Sequence, residues 1–237
     1  MDSRDYEAVL FDLDGVLTPT ALVHMDAWRR MFNEFLSAHH PDQPVYTDDD
    51  YFRYVDGKPR YAGVRSFLAS RNIELSDGTP EDTAGSLTVC GLGNEKNELF
   101  ESVLATEGVT AYPGSRALVE ALAKAGIHQA VVSSSRNAPA VLEAAGLLGY
   151  FDTIVDGVVA TERLLAGKPA PDTFIYAADL LEVPVARCVV VEDALSGVQA
   201  GRAGRFGLVV GVDRGVGAEA LLEHGATMVV GDLEELV

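Results

Sequence analysis

Short runs of valine, isoleucine, leucine and phenylalanine without polar alternation recur along the chain, mostly in its C-terminal half. HQAVVSS (128–134), DTIVDG (152–157), CVVVED (188–193), FGLVVGVD (206–213) and TMVVGD (227–232) have strand length and are apolar on both faces. AVLFDLD (8–14) near the N-terminus has the same character. Such runs predict strands buried on both sides. Between them lie segments with apolar residues at helical spacing: SRALVEALAKAGI (115–127), NAPAVLEAAGLLGYF (137–151), DTFIYAADLLEV (172–183), SGVQAGRAG (196–204) and GAEALLEHG (217–225). Helices alternating with doubly buried strands predict an α/β domain, a doubly wound, Rossmann-like parallel sheet.

Residues 19–107 break this rhythm. ALVHMDAWRRMFNEFLSAHH (21–40) and EKNELFESVLATEG (95–108) have helical spacing, DDDYFRYVDG (48–57) reads as loop and helix, and no buried strand stands out between Val16 and Ile127. The expectation is a helical domain, 19–107, inserted after the first strand of a core made of 1–18 and 108–237. No internal repeat or low-complexity segment interrupts either part.

The composition fits this organisation. With 237 residues, 48% hydrophobic and 23% charged, the chain is long enough for one large domain or a core with a smaller insert. Cys90 and Cys188 lie far apart with no CxxC spacing, which asks for no oxidising compartment. MDSRDYEAVLFDLD opens without a basic region and long apolar stretch, so no secretory leader is expected, and no apolar run reaches the length of a membrane span. A cytoplasmic monomer is the expectation. The formal net charge of −18 argues against a nucleic-acid partner, because phosphate backbones demand basic patches. An anionic small ligand would need a local basic site or a metal inside this repelling field.

Ligands of open α/β sheets sit beyond the carboxyl ends of the strands, so the residues there carry the candidate chemistry. The first strand ends on Asp12 and Asp14, followed at once by Gly15. The next offers Ser133, Ser134 and Ser135, then Arg136 and Asn137. The loop TERLLAGKPAPD (161–172) carries Lys168, and CVVV leads into Glu192 and Asp193. Singly, each has a structural explanation. The aspartates can form a turn and a helix cap, Ser133 can cap a helix, Lys168 can be a solvated loop residue, and Glu192–Asp193 can cap the helix that follows. Those explanations do not account for all four arriving at one edge of one sheet.

Together they match phosphoryl transfer to a carboxylate. Asp12, Asp14, Glu192 and Asp193 offer hard oxygen ligands for magnesium. An aspartate can act as nucleophile through an aspartyl-phosphate. Lys168 and Ser133 can bind the phosphoryl oxygens on which transition-state charge gathers, and the second aspartate can serve as general acid/base.

FDLDGVLT, VVSSS, GKPAPD and VVVEDALSG, in that order and over nearly the whole chain, resemble the four motifs of the haloacid dehalogenase-like phosphotransferase superfamily. The resemblance implies Asp12 as nucleophile, Asp14 as acid/base, Ser133 and Lys168 as phosphate-binding residues, and Glu192 and Asp193 as magnesium ligands. It also implies that Asp14 reaches the metal through its main-chain carbonyl, and that the insert is a helical cap. Within the insert, TPTALVHMDAWRRMF, VDGKPRYAGV and GNEKNELF are similar to the β-phosphoglucomutase branch. That likeness implies hinge and positioning roles for Thr20 and His24, a distal phosphate site at Arg60, a sugar-phosphate contact at Lys96, and further contacts at Ser135 and Asn137. Taken alone, Arg60 and Lys96 read equally well as solvated helix-end cations. The sequence departs from the branch at Ala194, where serine is frequent, and at Pro19 in the hinge.

A phosphatase needs one anion site and a water, whereas a mutase must hold a bisphosphate at both ends. The two cationic positions favour a mutase, and the resemblance implies magnesium-dependent interconversion of β-D-glucose 1-phosphate and glucose 6-phosphate through β-glucose 1,6-bisphosphate. The alternatives are a sugar-phosphate phosphatase using the same nucleophile and a non-catalytic module that binds phosphometabolites.

Overall fold

The structure is a computed structural model and describes residues 6–237. The first five residues of the segment read as carrying no leader lie outside the described residues. In chain order the elements are β1 (Ala8–Phe11), α1 (Thr20–His39), α2 (Asp48–Asp50), which runs into a π-helical turn at Tyr51–Val55, α3 (Arg60–Ser70) and α4 (Val89–Glu107). There follow α5 (Pro113–Ala125), β2 (His128–Val132), α6 (Ala138–Ala144), β3 (Thr153–Val155), α7 (Gly157–Glu162) and α8 (Asp172–Leu180). The chain closes with β4 (Cys188–Glu192), α9 (Leu195–Ala203), β5 (Leu208–Val212), α10 (Ala218–His224) and β6 (Met228–Val230). It divides into two compact units, one of residues 1–20 and 109–237 and the other of residues 21–108.

In the first unit the described strands form a six-stranded, all-parallel sheet in the order β3-β2-β1-β4-β5-β6. The order reverses at β1, which pairs with β2 on one side and β4 on the other, and such a reversal is where doubly wound sheets bind ligands. Phe11 is in register with both Val131 and Val191, so these three strands end level. Side chains alternate between faces with period two. Leu10, Ala130, Val132 and Val190 share a buried cluster with Phe174 and Ala177 of α8, Val198 of α9 and Leu221 of α10. On the opposite face Gln129 Nε2 donates to the Val119 main-chain oxygen of α5 at 3.1 Å, so helices cover both sides.

The second unit is helical. Among its described residues the sole β feature is an isolated bridge between Ser76 and Thr88. Its core stacks Trp28 and Phe32 of α1 (centroids 5.3 Å apart) and sets Phe32 against Phe67 of α3 at 4.1 Å. No helix among the described residues is long and apolar enough to cross a membrane.

Two segments differ from the sequence expectation. The helix read over 137–151 stops at Ala144, because the Leu147 N–H folds back onto the Leu142 oxygen (2.9 Å), and Leu148–Tyr150 forms a separate 3-10 turn. Residues read as loop at Thr161 and Glu162 complete α7. Asp156 caps that helix by accepting the N–H groups of Val158 and Val159 at 3.0 and 2.9 Å.

Candidate active site

The Asp12 N–H extends the β1 ladder by one bond, to the Val191 oxygen at 2.9 Å, and its side chain is then released at the sheet edge. The Lys168 ammonium meets it there at 2.5 Å from Oδ1. Lys168 also donates to the Val132 main-chain oxygen at 2.9 Å and lies 2.6 Å from Glu192 Oε1. One buried cation thus ties together the ends of β1, β2 and β4. Burial alone would lower its pKa, but Asp12 and Glu192 outweigh burial and raise it, so Lys168 remains an ammonium. The other Glu192 oxygen accepts the N–H groups of Asp193 and Ala194, each at 3.1 Å, and fixes the turn into α9.

Asp12, Glu192 and Asp193 can each place one carboxylate oxygen within 4.8 Å of the others, and all three residues are buried. Burial raises the Asp12 pKa well above its ordinary value; Lys168 opposes the shift, and Glu192 and Asp14 add to it. Three clustered carboxylates against one lysine leave negative charge that a low-dielectric site tolerates poorly. A hard divalent cation suits both that excess and the all-oxygen donor set. Gly15 contributes the space. It has φ +89°, and a Cβ there would stand 1.8 Å from Asp193 Oδ2, so a side chain would fill the cradle.

The Asp14 carboxylate stands outside that group. The Thr20 hydroxyl donates to its Oδ1 at 2.5 Å, and Thr18 Oγ1 lies 2.7 Å from Thr20 Oγ1. Since Thr20 gives its proton to Asp14, Thr18 is the donor to Thr20. Ser133 Oγ lies 3.5 Å from Asp14 Oδ2 and accepts the Ser135 N–H at 3.0 Å, while Ser135 Oγ accepts the Asn137 N–H at 3.2 Å. These two serine turns shape the loop after β2.

His24, Arg60 and Lys96 lie in the second unit. Lys96 Nζ is hydrogen-bonded to His24 Nδ1. It lies 5.0 Å over the Trp28 ring and 5.2 Å over Phe100, while Phe100 stacks on His24 at 4.0 Å. Arg60, at the start of α3, donates to Asn94 Oδ1 (3.3 Å) and Asn97 Oδ1 (2.9 Å) of α4.

Sequence reasoning missed Arg214. It donates Nε–H to the Gly15 oxygen at 2.9 Å, beside Asp14, and its guanidinium lies 4.0 Å over the Tyr112 ring. It follows β5 by two residues, so the strand-end rule already applied to four strands would have found it on the fifth.

An aspartate at the reversal point of a 3-2-1-4-5-6 sheet, paired with a lysine beneath an acidic cluster, is the site of a phosphoryl-transfer enzyme of the haloacid dehalogenase-like class. The profile of the haloacid dehalogenase-like hydrolases matches residues 6–205, and the chain belongs to that family. It is 50% identical to a β-phosphoglucomutase of Mycobacterium tuberculosis, over 97% of this chain and 91% of that protein. It is 33% identical to hexitol phosphatase A of Escherichia coli, over 82% of this chain and 77% of that protein. Among solved structures it is similar to a β-phosphoglucomutase from Clostridium difficile, with a TM-score of 0.77, 26% identity and coverage of 98% and 93% of the two chains.

Proposed function

We propose that the protein interconverts β-D-glucose 1-phosphate and glucose 6-phosphate through β-glucose 1,6-bisphosphate. Asp12 attacks the 1-phosphoryl phosphorus of the bisphosphate through a carboxylate oxygen; the bond from phosphorus to the sugar oxygen breaks, and Asp14 protonates that oxygen as it leaves with glucose 6-phosphate. In the other half of the cycle Asp14 takes the proton from the 6-hydroxyl of β-glucose 1-phosphate as that oxygen attacks the aspartyl-phosphate, which re-forms the bisphosphate and frees Asp12. Thr20, bonded to Asp14, holds this carboxyl in place. Lys168 and the Ser133 hydroxyl bind the equatorial phosphoryl oxygens, and Ser135 and Asn137 complete that side of the sugar phosphate. Asp12, Glu192 and Asp193, with the Asp14 carbonyl, would hold magnesium, which when bound offsets the charge of the phosphoryl group. Arg60 and Lys96 take the second phosphate, and His24 orients Lys96.

One observation supports this reading above others: a chain of net charge −18 carries two separate cationic stations, Lys168 in one unit and Arg60 with Lys96 in the other. A bisphosphate requires two. The buried free thiols of Cys90 and Cys188 suit a reducing compartment, so we place the protein in the cytoplasm.

Purified protein with magnesium, β-glucose 1-phosphate and a trace of the bisphosphate should yield glucose 6-phosphate without free phosphate. Asp12→Asn should abolish that turnover, and a variant that still turns over removes Asp12 as nucleophile. The similarity to hexitol phosphatase A favours a second reading, sugar-phosphate hydrolysis at the same aspartate. Stoichiometric release of inorganic phosphate would establish it in place of the mutase.

A further inference from the structure

Gly15 is both a necessity and a weak point of the candidate site. A Cβ there would run into the Asp193 carboxylate, so the position must be glycine, at φ +89°. The same missing side chain leaves the backbone free to rotate directly after Asp14. The surroundings take that freedom away. The Gly15 N–H donates to the Thr18 oxygen at 2.8 Å, which sets the peptide between Asp14 and Gly15. Further along the turn, the Ser115 hydroxyl donates to the Val16 oxygen at 2.6 Å, and the Tyr112 N–H to the Leu17 oxygen at 3.0 Å. The peptide between Gly15 and Val16 is held by Arg214, whose Nε–H reaches the Gly15 oxygen at 2.9 Å.

Arg214 is itself aimed. Its Nη1 donates to the Gly231 oxygen at 3.2 Å, its Nη2 lies 3.7 Å from Asp232 Oδ2, and the guanidinium lies over the Tyr112 ring. These contacts orient a rigid planar fork so that Nε faces Gly15. The bonds at the far end of the fork alone would make Arg214 a clamp on the C-terminal segment. The bond to Gly15 has a different consequence. Resting on the acid/base role proposed for Asp14, we propose that Arg214 is a positioning residue for the reaction. Its Nε–H fixes the backbone joint that follows Asp14, and with it the direction of the Asp14 carboxylate. The room that Asp193 needs at Gly15 is thereby kept without a loose turn beside the acid/base.

Two variants of equal side-chain length separate this role from a structural one. In Arg214→Gln the amide nitrogen falls at the place of Arg214 Nε and can still donate to Gly15, whereas in Arg214→Met a methyl group falls there. Both lose the charge, the bond to Gly231 and the guanidinium over Tyr112. With magnesium, β-glucose 1-phosphate and a trace of the bisphosphate, Arg214→Met should lower kcat about tenfold with KM no higher than wild type. Arg214→Gln should recover kcat to within about threefold of wild type, although its Tm falls as far as that of Arg214→Met. Equal kcat in the two variants, or a loss carried by a raised KM, overturns the proposal, since a clamp on the C-terminal segment is lost in both alike. If Arg214→Met does not melt cooperatively, Arg214→Lys replaces it. The lysine ammonium overshoots the Nε position by one bond, so the neutral glutamine variant should still be the faster enzyme, and a lysine variant as fast or faster overturns the proposal. Wild-type turnover separates this proposal from the mutase reading. If wild type releases inorganic phosphate and forms no glucose 6-phosphate, the mutase reading falls, and the same variants are compared on phosphate release, where Asp14 has the same task. If wild type does neither, the acid/base role of Asp14 fails and this proposal is overturned with it.

Discussion

Lys168 and Lys96 are both buried, at 3% and 6% exposure, yet their surroundings are opposite. Lys168 is wedged between Asp12 and Glu192, with Asp193 close by, and its positive charge is outnumbered. Lys96 is bonded to His24 Nδ1 and lies over two aromatic rings, and Arg60 of the same unit donates to two amide oxygens. The first arrangement uses a lysine to order carboxylates that still call for a further cation. The second sets its lysine against a histidine ring nitrogen and two aromatic faces.

Removing each ammonium is the sharpest way to break this comparison. Lys168→Met leaves Asp12 and Glu192 buried without their partner, a change that costs about 3–5 kcal/mol when one member of a buried ion pair is lost. Lys96→Met keeps the contacts with Trp28 and Phe100 through a polarizable thioether and gives up the bond to His24, so its loss should be smaller, about 1–2 kcal/mol. Urea unfolding of both variants in magnesium-free buffer gives the contrast. Equal losses would mean that the two lysines are held by the same physics.

How much of this was visible in the sequence follows the same division. Asp12, Lys168 and Glu192 were legible because doubly buried strands announce their own ends, and charged groups at those ends have few structural explanations in common. The helix α7 was hidden because its capping residue, Asp156, directly follows the apolar run of β3 and reads as the end of that strand. The seat of Arg60 was hidden for a different reason. Asn94 and Asn97 are ordinary helix-surface residues until α3 and α4 cross, and no local pattern states which face of α4 a distant arginine will reach. Arg214 lies between these cases, since it stands at a strand end but acts on Gly15, 199 residues away.

The metal side of the comparison predicts a smaller, reversible effect. A ligand that binds only the folded state stabilises it by about 1.4 kcal/mol when its concentration is tenfold above Kd. For a chain of this length that raises Tm by about 3–6 °C. Magnesium should produce such a shift in wild type, and chelation should reverse it. Asp193→Asn should lose most of the shift, while Lys96→Met should retain all of it. A magnesium response that survives Asp193→Asn would move the cation away from the Asp12, Glu192 and Asp193 cluster.

The smallest effect concerns pH and lies in the inserted unit. Thr88 caps α4 by accepting the Gly91 N–H at 2.9 Å, and its hydroxyl donates to Asp82 Oδ2 at 2.6 Å. With Thr79 also donating to it, Asp82 has a pKa below the ordinary 3.8, with the Thr88 bond as the main cause. The folded state therefore holds this proton more weakly than the unfolded chain does. The resulting stabilisation is complete above the ordinary aspartate pKa and is lost as pH falls through the lower folded value. Acid titration followed by amide exchange in the first turn of α4 should show that turn loosening below about pH 3.8 in wild type. Asp82→Asn should remove this step, because an amide oxygen still accepts from Thr88 but has no proton to gain. A step of the same size in both proteins would assign it to another carboxylate of the unit.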